Sequence, residues 1–142
     1  MNGRRWVCML AVQAICTAAM AQDASKSMNL ACPKAEAVAR EHLLGLWRAE
    51  FEGGVWGATL LLEPHPDFSE SVRGEINRNG ERALLAGDVE DGEFTLEESA
   101  NGTNISAVWL GDVVEGSCGR EIRGAWKAEG DSRQLQFVLR KQ

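Results

Sequence analysis

Histidine is scarce in this chain of 142 residues, which contains only His42 and His65. His65 stands between two prolines and is expected in an exposed loop, whereas His42 is expected at a helix boundary. The acidic stretch 88–93 lacks the glycine and glutamate spacing of an EF-hand loop, so we interpret it as solvated hairpin charge. The sequence shows no nucleophile–base pair and no phosphate loop. We therefore expect no enzyme, no cofactor and no metal site.

Basic residues are few relative to acidic ones. The chain has 15 Lys and Arg against 21 Asp and Glu, which gives a net charge of −6. If Arg4 and Arg5 leave with an N-terminal leader, 13 basic residues remain and the net charge becomes −8. A protein with this excess of negative charge repels nucleic acid and anionic lipid, so neither is an expected partner.

Long apolar runs are limited to residues 6–18, which follow Arg4 and Arg5 and precede Ala19-Met20-Ala21. This order predicts a secretory signal peptide over residues 1–21. A transmembrane helix is the alternative, but the run is shorter than the roughly 20 residues that a bilayer requires. We expect a periplasmic or secreted protein without membrane insertion after cleavage, whether the source is bacterial or eukaryotic.

The rest of the chain is a succession of short strands from residue 44 to residue 141. Apolar and polar residues alternate, and glycine, asparagine or aspartate separates the segments, without the helices that a parallel sheet needs. This pattern predicts an all-β fold, an eight-stranded antiparallel up-and-down barrel with a short N-terminal helix. The domains are 1–21 (signal peptide), 22–44 (polar segment and helix) and 45–142 (barrel). The predicted strands are 44–51, 55–63, 69–78, 81–90, 93–98, 103–112, 120–128 and 133–141.

The short helix is predicted over residues 33–44. Pro33 suits the first helical position, Glu36 and Arg40 stand four residues apart, and Gly45 can end the helix. We expect this helix to pack on one end of the barrel.

Four cysteines are present, and Cys8 and Cys16 lie in the predicted leader. The remaining pair, Cys32 and Cys118, would sit in an oxidising compartment, where an even pair suggests a disulfide. In an up-and-down barrel all odd-numbered strands begin at the same end. Because Cys32 precedes the first strand and Cys118 the seventh, the topology permits this disulfide.

Alternation within the strands assigns one face of each to the interior. The predicted inward residues are Trp47, Phe51, Trp56, Leu60, Leu62, Val72, Ile76, Phe94, Leu96, Ile105, Trp109, Ile122, Trp126, Leu135, Phe137 and Leu139.

Several of these segments resemble the calycin superfamily, and within it the avidin and streptavidin group. Gly45-Leu46-Trp47 is similar to the Gly-x-Trp that opens the first strand of these barrels, and Arg140 resembles the basic residue that packs over that tryptophan. The stretch 109–114, followed by Arg120 and later by Trp126, resembles a second conserved region of streptavidin-like proteins. The resemblance implies a small antiparallel barrel.

The biotin-binding residues of that group are not matched. At the positions where the family has polar side chains, this chain has Ala49, Ile76, Ile105 and Ala107, and it contains no tyrosine. A ureido group buried there would lack hydrogen-bond partners, at a cost of about 1 to 3 kcal/mol for each unpaired atom. The resemblance therefore implies a barrel and not a biotin site.

The tryptophans are the candidate ligand-binding residues. Trp47, Trp56, Trp109 and Trp126 could line an apolar pocket with polar handles. Alternatively, they fill the barrel themselves, because eight strands enclose little more than their own side chains. Filling is the favoured interpretation.

The end of the barrel that would carry the disulfide is the candidate surface for binding another protein. Longer, acidic connections are predicted at this end, whereas tight turns are predicted at the opposite end. The candidate protein-contact residues are Asp67, Phe68, Asp91, Asp112 and Glu115. We expect a non-enzymatic binding protein whose partner is a small apolar ligand or a protein. The alternative is a periplasmic inhibitor or immunity protein, because an acidic rim suits a basic hydrolase.

Overall fold

The computed structural model describes residues 32–54 and 56–142, so the predicted signal peptide lies outside the described residues. Eight antiparallel strands, each paired with the next in the chain, form a barrel that β1 and β8 close. The predicted eight-stranded up-and-down barrel is confirmed. The strands are β1 Gly45–Phe51, β2 Gly57–Pro64, β3 Val72–Arg78, β4 Glu81–Glu90, β5 Glu93–Ser99, β6 Ala107–Val113, β7 Glu121–Ala128 and β8 Leu135–Lys141.

The strand bounds differ most from the prediction at the start of β6, which begins at Ala107 instead of residue 103. Asn101 is the reason, because its Oδ1 accepts hydrogen bonds from the backbone N–H groups of Thr103 and Asn104. An asparagine that bonds the backbone two and three residues ahead closes a local turn and takes those residues out of the strand ladder.

The N-terminal segment is not one helix over residues 33–44, as predicted. It forms a 3₁₀ turn, Ala35–Ala37, and a one-turn helix α1, Arg40–Leu43. Extended backbone at Val38 separates them, and this lets the Val38 side chain enter the core. In residues 32–54 and 56–142, none of the helical segments has the length and apolar character required to traverse a bilayer.

The core lies along the barrel axis and follows the predicted alternation in the strands. Trp47, Trp109, Phe94 and Phe137 are its largest fully buried side chains. Two members of the predicted inward set are wrong, since Trp56 is 41% exposed and Ile105 is 44% exposed. Both lie in connections just before a strand begins, where the period of two does not constrain the side chain.

Two inward glycines make room for the aromatic core. Gly111 and Gly124 face each other across β6 and β7. A side chain on Gly111 would meet the backbone carbonyl of Arg123 on β7 and the ring of Phe137. A side chain on Gly124 would meet the backbone of β6. Glycine at such positions permits a close approach of neighbouring groups, here of Phe137 toward the sheet.

One end of the barrel, the closed end, is occupied by residues 32–44. Val38 and Leu43 of this segment belong to the core, and Ala35 lies against the β4–β5 turn at Gly92. The disulfide between Cys32 and Cys118 attaches the segment to the β6–β7 connection. The predicted pairing is confirmed, and it joins two sites at the same end of the barrel.

The opposite end, the open end, carries the connections β1–β2, β3–β4, β5–β6 and β7–β8. Residues 100–106 and 129–134 form two of these connections. They are much longer than the β3–β4 turn, so the prediction that tight turns alone occupy this end is wrong. Long connections here leave space above the barrel interior.

Candidate ligand-binding site

A cavity of about 310 Å³ lies at the open end, and we call it the open-end pocket. Its walls are apolar and its rim is charged. The wall residues are Phe51, Trp56, Trp126 and Leu135, and the rim residues are Glu52, Asp131 and Arg133.

Three adjacent strands bring the wall together. In the register of β7 and β8, Trp126 is the partner of Leu135, and β1 ends beside them at Phe51. The alternation of each strand directs these three side chains into the barrel, and all three lie at the strand ends nearest the open end. Trp56 joins them from the β1–β2 connection, with its ring centroid 5.9 Å from that of Phe51.

Aromatic packing closes the pocket from below. Trp109 is fully buried, and its ring centroid lies 5.4 Å from that of Phe51 and 4.9 Å from that of Phe137. Side chains therefore fill the middle of the barrel, as an eight-stranded barrel of this width allows. The space for a ligand lies above this aromatic layer.

A buried ion pair contacts the same aromatic residues. Glu98 is 4% exposed and is the one charged residue buried within the described part of the chain. Its two oxygens accept hydrogen bonds from Nη1 and Nη2 of Arg78, and the Nη2–Oε2 distance is 2.7 Å. Oε2 also accepts from Nε1 of Trp109 and of Trp126, at 3.1 and 3.2 Å. Four donors thus satisfy the carboxylate, as a buried charge requires.

This environment sets the protonation state of Glu98. Burial raises the pKa of the carboxyl group, but the hydrogen bonds and charge of Arg78 and the two indole N–H groups lower it by more, so the pKa lies below its ordinary value. Glu98 is ionised at neutral pH, and the ion pair holds the neighbouring side chains in place.

Trp126 is the wall residue that the ion pair positions. The Arg78 guanidinium lies on its ring, with Cζ 5.3 Å from the centroid, while the indole N–H donates to Glu98. Its ring centroid is also 6.0 Å from that of Phe51. These contacts restrict the rotamer of Trp126, so one wall of the pocket is preorganised.

The structure places the four candidate tryptophans in three settings. Trp56 and Trp126 line the open-end pocket, and Trp109 lies beneath it. Trp47 is near the closed end, where its Nε1 donates a hydrogen bond of 2.7 Å to the carbonyl of Leu43. The structure therefore brings two of the four together at one cavity.

The basic residue over Trp47 is Lys141 and not Arg140, which the resemblance implied. Lys141 Nζ lies 5.8 Å from the Trp47 ring centroid and donates a hydrogen bond of 2.6 Å to the carbonyl of His42. Arg140 points outward and pairs with Glu50. Alternation directs residue 141 inward, in register with Trp47, so the basic residue is displaced by one position.

The candidate protein-contact residues do not form one patch. All five are exposed, and Phe68 at 63% is the most exposed of the large apolar residues described. Asp67 and Phe68 lie in the β2–β3 connection, whereas Glu115 lies in the β6–β7 connection. These connections stand four strands apart in a ring of eight, on opposite sides of the barrel. Asp112 lies on β6 near the connection that carries Glu115, whereas Asp91 lies in the β4–β5 turn, midway around the ring between the two connections.

Sequence reasoning missed Arg78 and Glu98, although a signal was available. Arg78 continues the inward series of Val72 and Ile76 in β3, and Glu98 continues that of Phe94 and Leu96 in β5. Both charged side chains are therefore expected to point into the barrel, and both lie at the ends of odd-numbered strands. Opposite charges at such positions, at the same end of a barrel, predict a buried ion pair.

No protein family matches this chain, and no curated protein matches it. Among solved structures, that of EF1p2_mFAP2b bound to DFHBI is similar, with 12% sequence identity and a TM-score of 0.47 over 78% of this chain and 100% of that chain. A likeness of this extent identifies no ligand for the present chain.

Proposed function

We propose that this protein is a non-enzymatic binding protein on a calycin-like barrel, and that it holds a small apolar molecule in the open-end pocket. The main support for this proposal is a cavity of about 310 Å³ with Phe51, Trp56 and Trp126 in its wall. Ligand sites of this kind range from about 300 to 1,000 Å³ and are lined mainly by apolar and aromatic side chains. The volume favours a ligand of one or two rings.

The exposure of Trp56 supports the proposal. The Trp56 side chain is 41% exposed and lines the pocket with the partly buried Trp126, so it presents apolar surface to solvent. A ligand between these two side chains would cover that surface. Trp126 is already held by Glu98 and Arg78, so binding costs little ordering of that wall.

The proposed place of action is the periplasm or the extracellular space. The signal-peptide pattern of residues 1–21 supports export, and the Cys32–Cys118 disulfide is of the kind that persists in oxidising compartments. An inhibitor or immunity protein would need a contiguous contact surface, and the separation of Phe68 from Glu115 around the barrel makes this the weaker candidate.

A fluorescence titration tests the proposal with N-phenyl-1-naphthylamine, a neutral dye whose emission rises in apolar surroundings. We expect saturable binding to the wild type and a five- to tenfold weaker affinity for Trp56→Ala, equivalent to about 1 to 1.4 kcal/mol. Leu110→Ala is the matched control, because Leu110 is an apolar residue 57% exposed on the outer face of β6. Equal affinity for wild type and Trp56→Ala, or weakening by Leu110→Ala alone, would exclude the open-end pocket.

A further inference from the structure

We propose that the open-end pocket selects an organic cation, an ammonium or similar group joined to an apolar or aromatic body. This inference rests on the proposed function and adds the charge of the ligand. It depends on the charges at the rim and on the aromatic faces below them.

The only basic rim residue is already neutralised within the described part of the pocket. Arg133 Nη2 lies 3.0 Å from Oδ2 of Asp131, its Nε contacts both carboxylate oxygens, and its backbone N–H donates to Oδ1 at 2.9 Å. Hydrogen bonds from Arg133 lower the pKa of Asp131, and the bond to Asp131 raises the pKa of Arg133. Both groups stay ionised, and their charges cancel at the rim.

Glu52 has no such partner. No ion pair to its carboxylate exists among the described residues, and its side chain is exposed at the end of β1. Its backbone N–H donates to the carbonyl of Gln136 at 2.8 Å, which fixes this residue beside β8 and the pocket. Lys127 and Glu129 flank the outer side of the β7–β8 connection with opposite charges. Among the described residues, the rim therefore carries one uncompensated negative charge.

The aromatic walls favour the same ligand charge. The centroids of Trp56 and Trp126 lie 5.9 and 6.0 Å from that of Phe51, so three rings border the cavity. Cations bind over the faces of aromatic rings, and several rings around one site recognise quaternary ammonium groups. Arg78 already lies on the ring of Trp126, and Glu98 balances its charge. This pair therefore adds no net positive charge below the pocket.

A pair of isosteric ligands isolates the effect of charge. Phenyltrimethylammonium and tert-butylbenzene have nearly the same shape, and each can displace N-phenyl-1-naphthylamine from the wild-type protein in low-salt buffer. We expect the cation to bind at least about fivefold more tightly than its neutral isostere, within the range of cation–π contacts at partly exposed sites. The measured quantity is the ratio of the two affinities.

Substitution of the rim carboxylate tests the source of this preference. Glu52→Gln is expected to reduce the ratio by about two- to fivefold, as for other exposed charge pairs, whereas Glu81→Gln, also exposed at the open end, should leave the ratio unchanged. The cation proposal would be overturned if tert-butylbenzene bound as tightly as phenyltrimethylammonium or more tightly, or if the affinity ratio were unchanged in Glu52→Gln. In either case, binding of the dye would still support the open-end pocket. If neither the dye nor either isostere binds, the proposed function itself fails.

Discussion

Glu98→Gln should destabilise the protein more than any exposed charge substitution. The change keeps the size of the side chain and an oxygen that can accept from Trp109 and Trp126, but it removes the counterion of Arg78. The Arg78 side chain is 13% exposed, so its guanidinium would remain buried without a balancing charge. Breaking a buried pair in this way costs about 3 to 5 kcal/mol, and the residual exposure of Arg78 favours the lower part of that range.

The matched control is Glu75→Gln. Glu75 pairs with Arg82 at 2.7 Å, but the two side chains are 44% and 64% exposed, and such surface pairs contribute about 0 to 1 kcal/mol. Urea denaturation followed by far-ultraviolet circular dichroism measures the free energy of unfolding of both variants without depending on tryptophan emission. We expect Glu98→Gln to lose at least 2 kcal/mol more than Glu75→Gln, an order-of-magnitude difference between the two ranges.

The pH dependence gives a second measurement. Because the pKa of Glu98 in the folded protein lies below its ordinary value of 4.5, its contribution is complete above that value and is lost as the pH falls through the folded pKa. The stability difference between wild type and Glu98→Gln should therefore be constant near neutral pH and shrink in acid. A difference that grows as the pH falls would contradict the direction of the pKa shift.

A double variant separates the missing charge from other effects of the substitution. Arg78→Met combined with Glu98→Gln removes both charges and keeps an acceptor for the indole N–H groups. We expect the double variant to be more stable than Glu98→Gln alone, with a positive coupling in the double-mutant cycle. If Glu98→Gln costs no more than Glu75→Gln and the cycle shows no coupling, the ion pair does not stabilise the open end as argued.

Three further predictions concern the rest of the barrel. Replacing Cys32 and Cys118 together with serine should cost about 4 to 5 kcal/mol, because the disulfide closes a loop with a sequence separation of 86, and an unchanged urea midpoint of the reduced wild type would contradict this. Trp109→Ala should cost about 3 to 5 kcal/mol as a fully buried aromatic, and near wild-type stability would refute the packed interior. Lys141→Met should cost about 1 to 2 kcal/mol, since it removes the bond to the His42 carbonyl and the cation over Trp47, and thermal unfolding should show a lower midpoint.

The sequence alone was sufficient for the eight-stranded antiparallel architecture of the barrel. The period of two directs Trp47, Phe94 and Trp109 inward whatever their neighbours, because successive side chains of a strand point to opposite faces. The up-and-down order of the strands determines at which end each strand begins. This order is enough to place Cys32 and Cys118 at one end of the barrel, where the disulfide joins them.

Only the tertiary structure brought the residues of the open-end pocket together. Trp56 lies outside a strand, so no periodicity could place its ring beside Phe51. Arg78 and Glu98 lie on β3 and β5, which are not neighbours, and their contact depends on the curvature that closes the barrel. The wall of the pocket likewise needs β7 and β8 next to β1, a pairing between the two ends of the barrel sequence. The local sequence pattern determines on which face of a strand a side chain lies. The distances between side chains across the barrel are set only when the sheet closes.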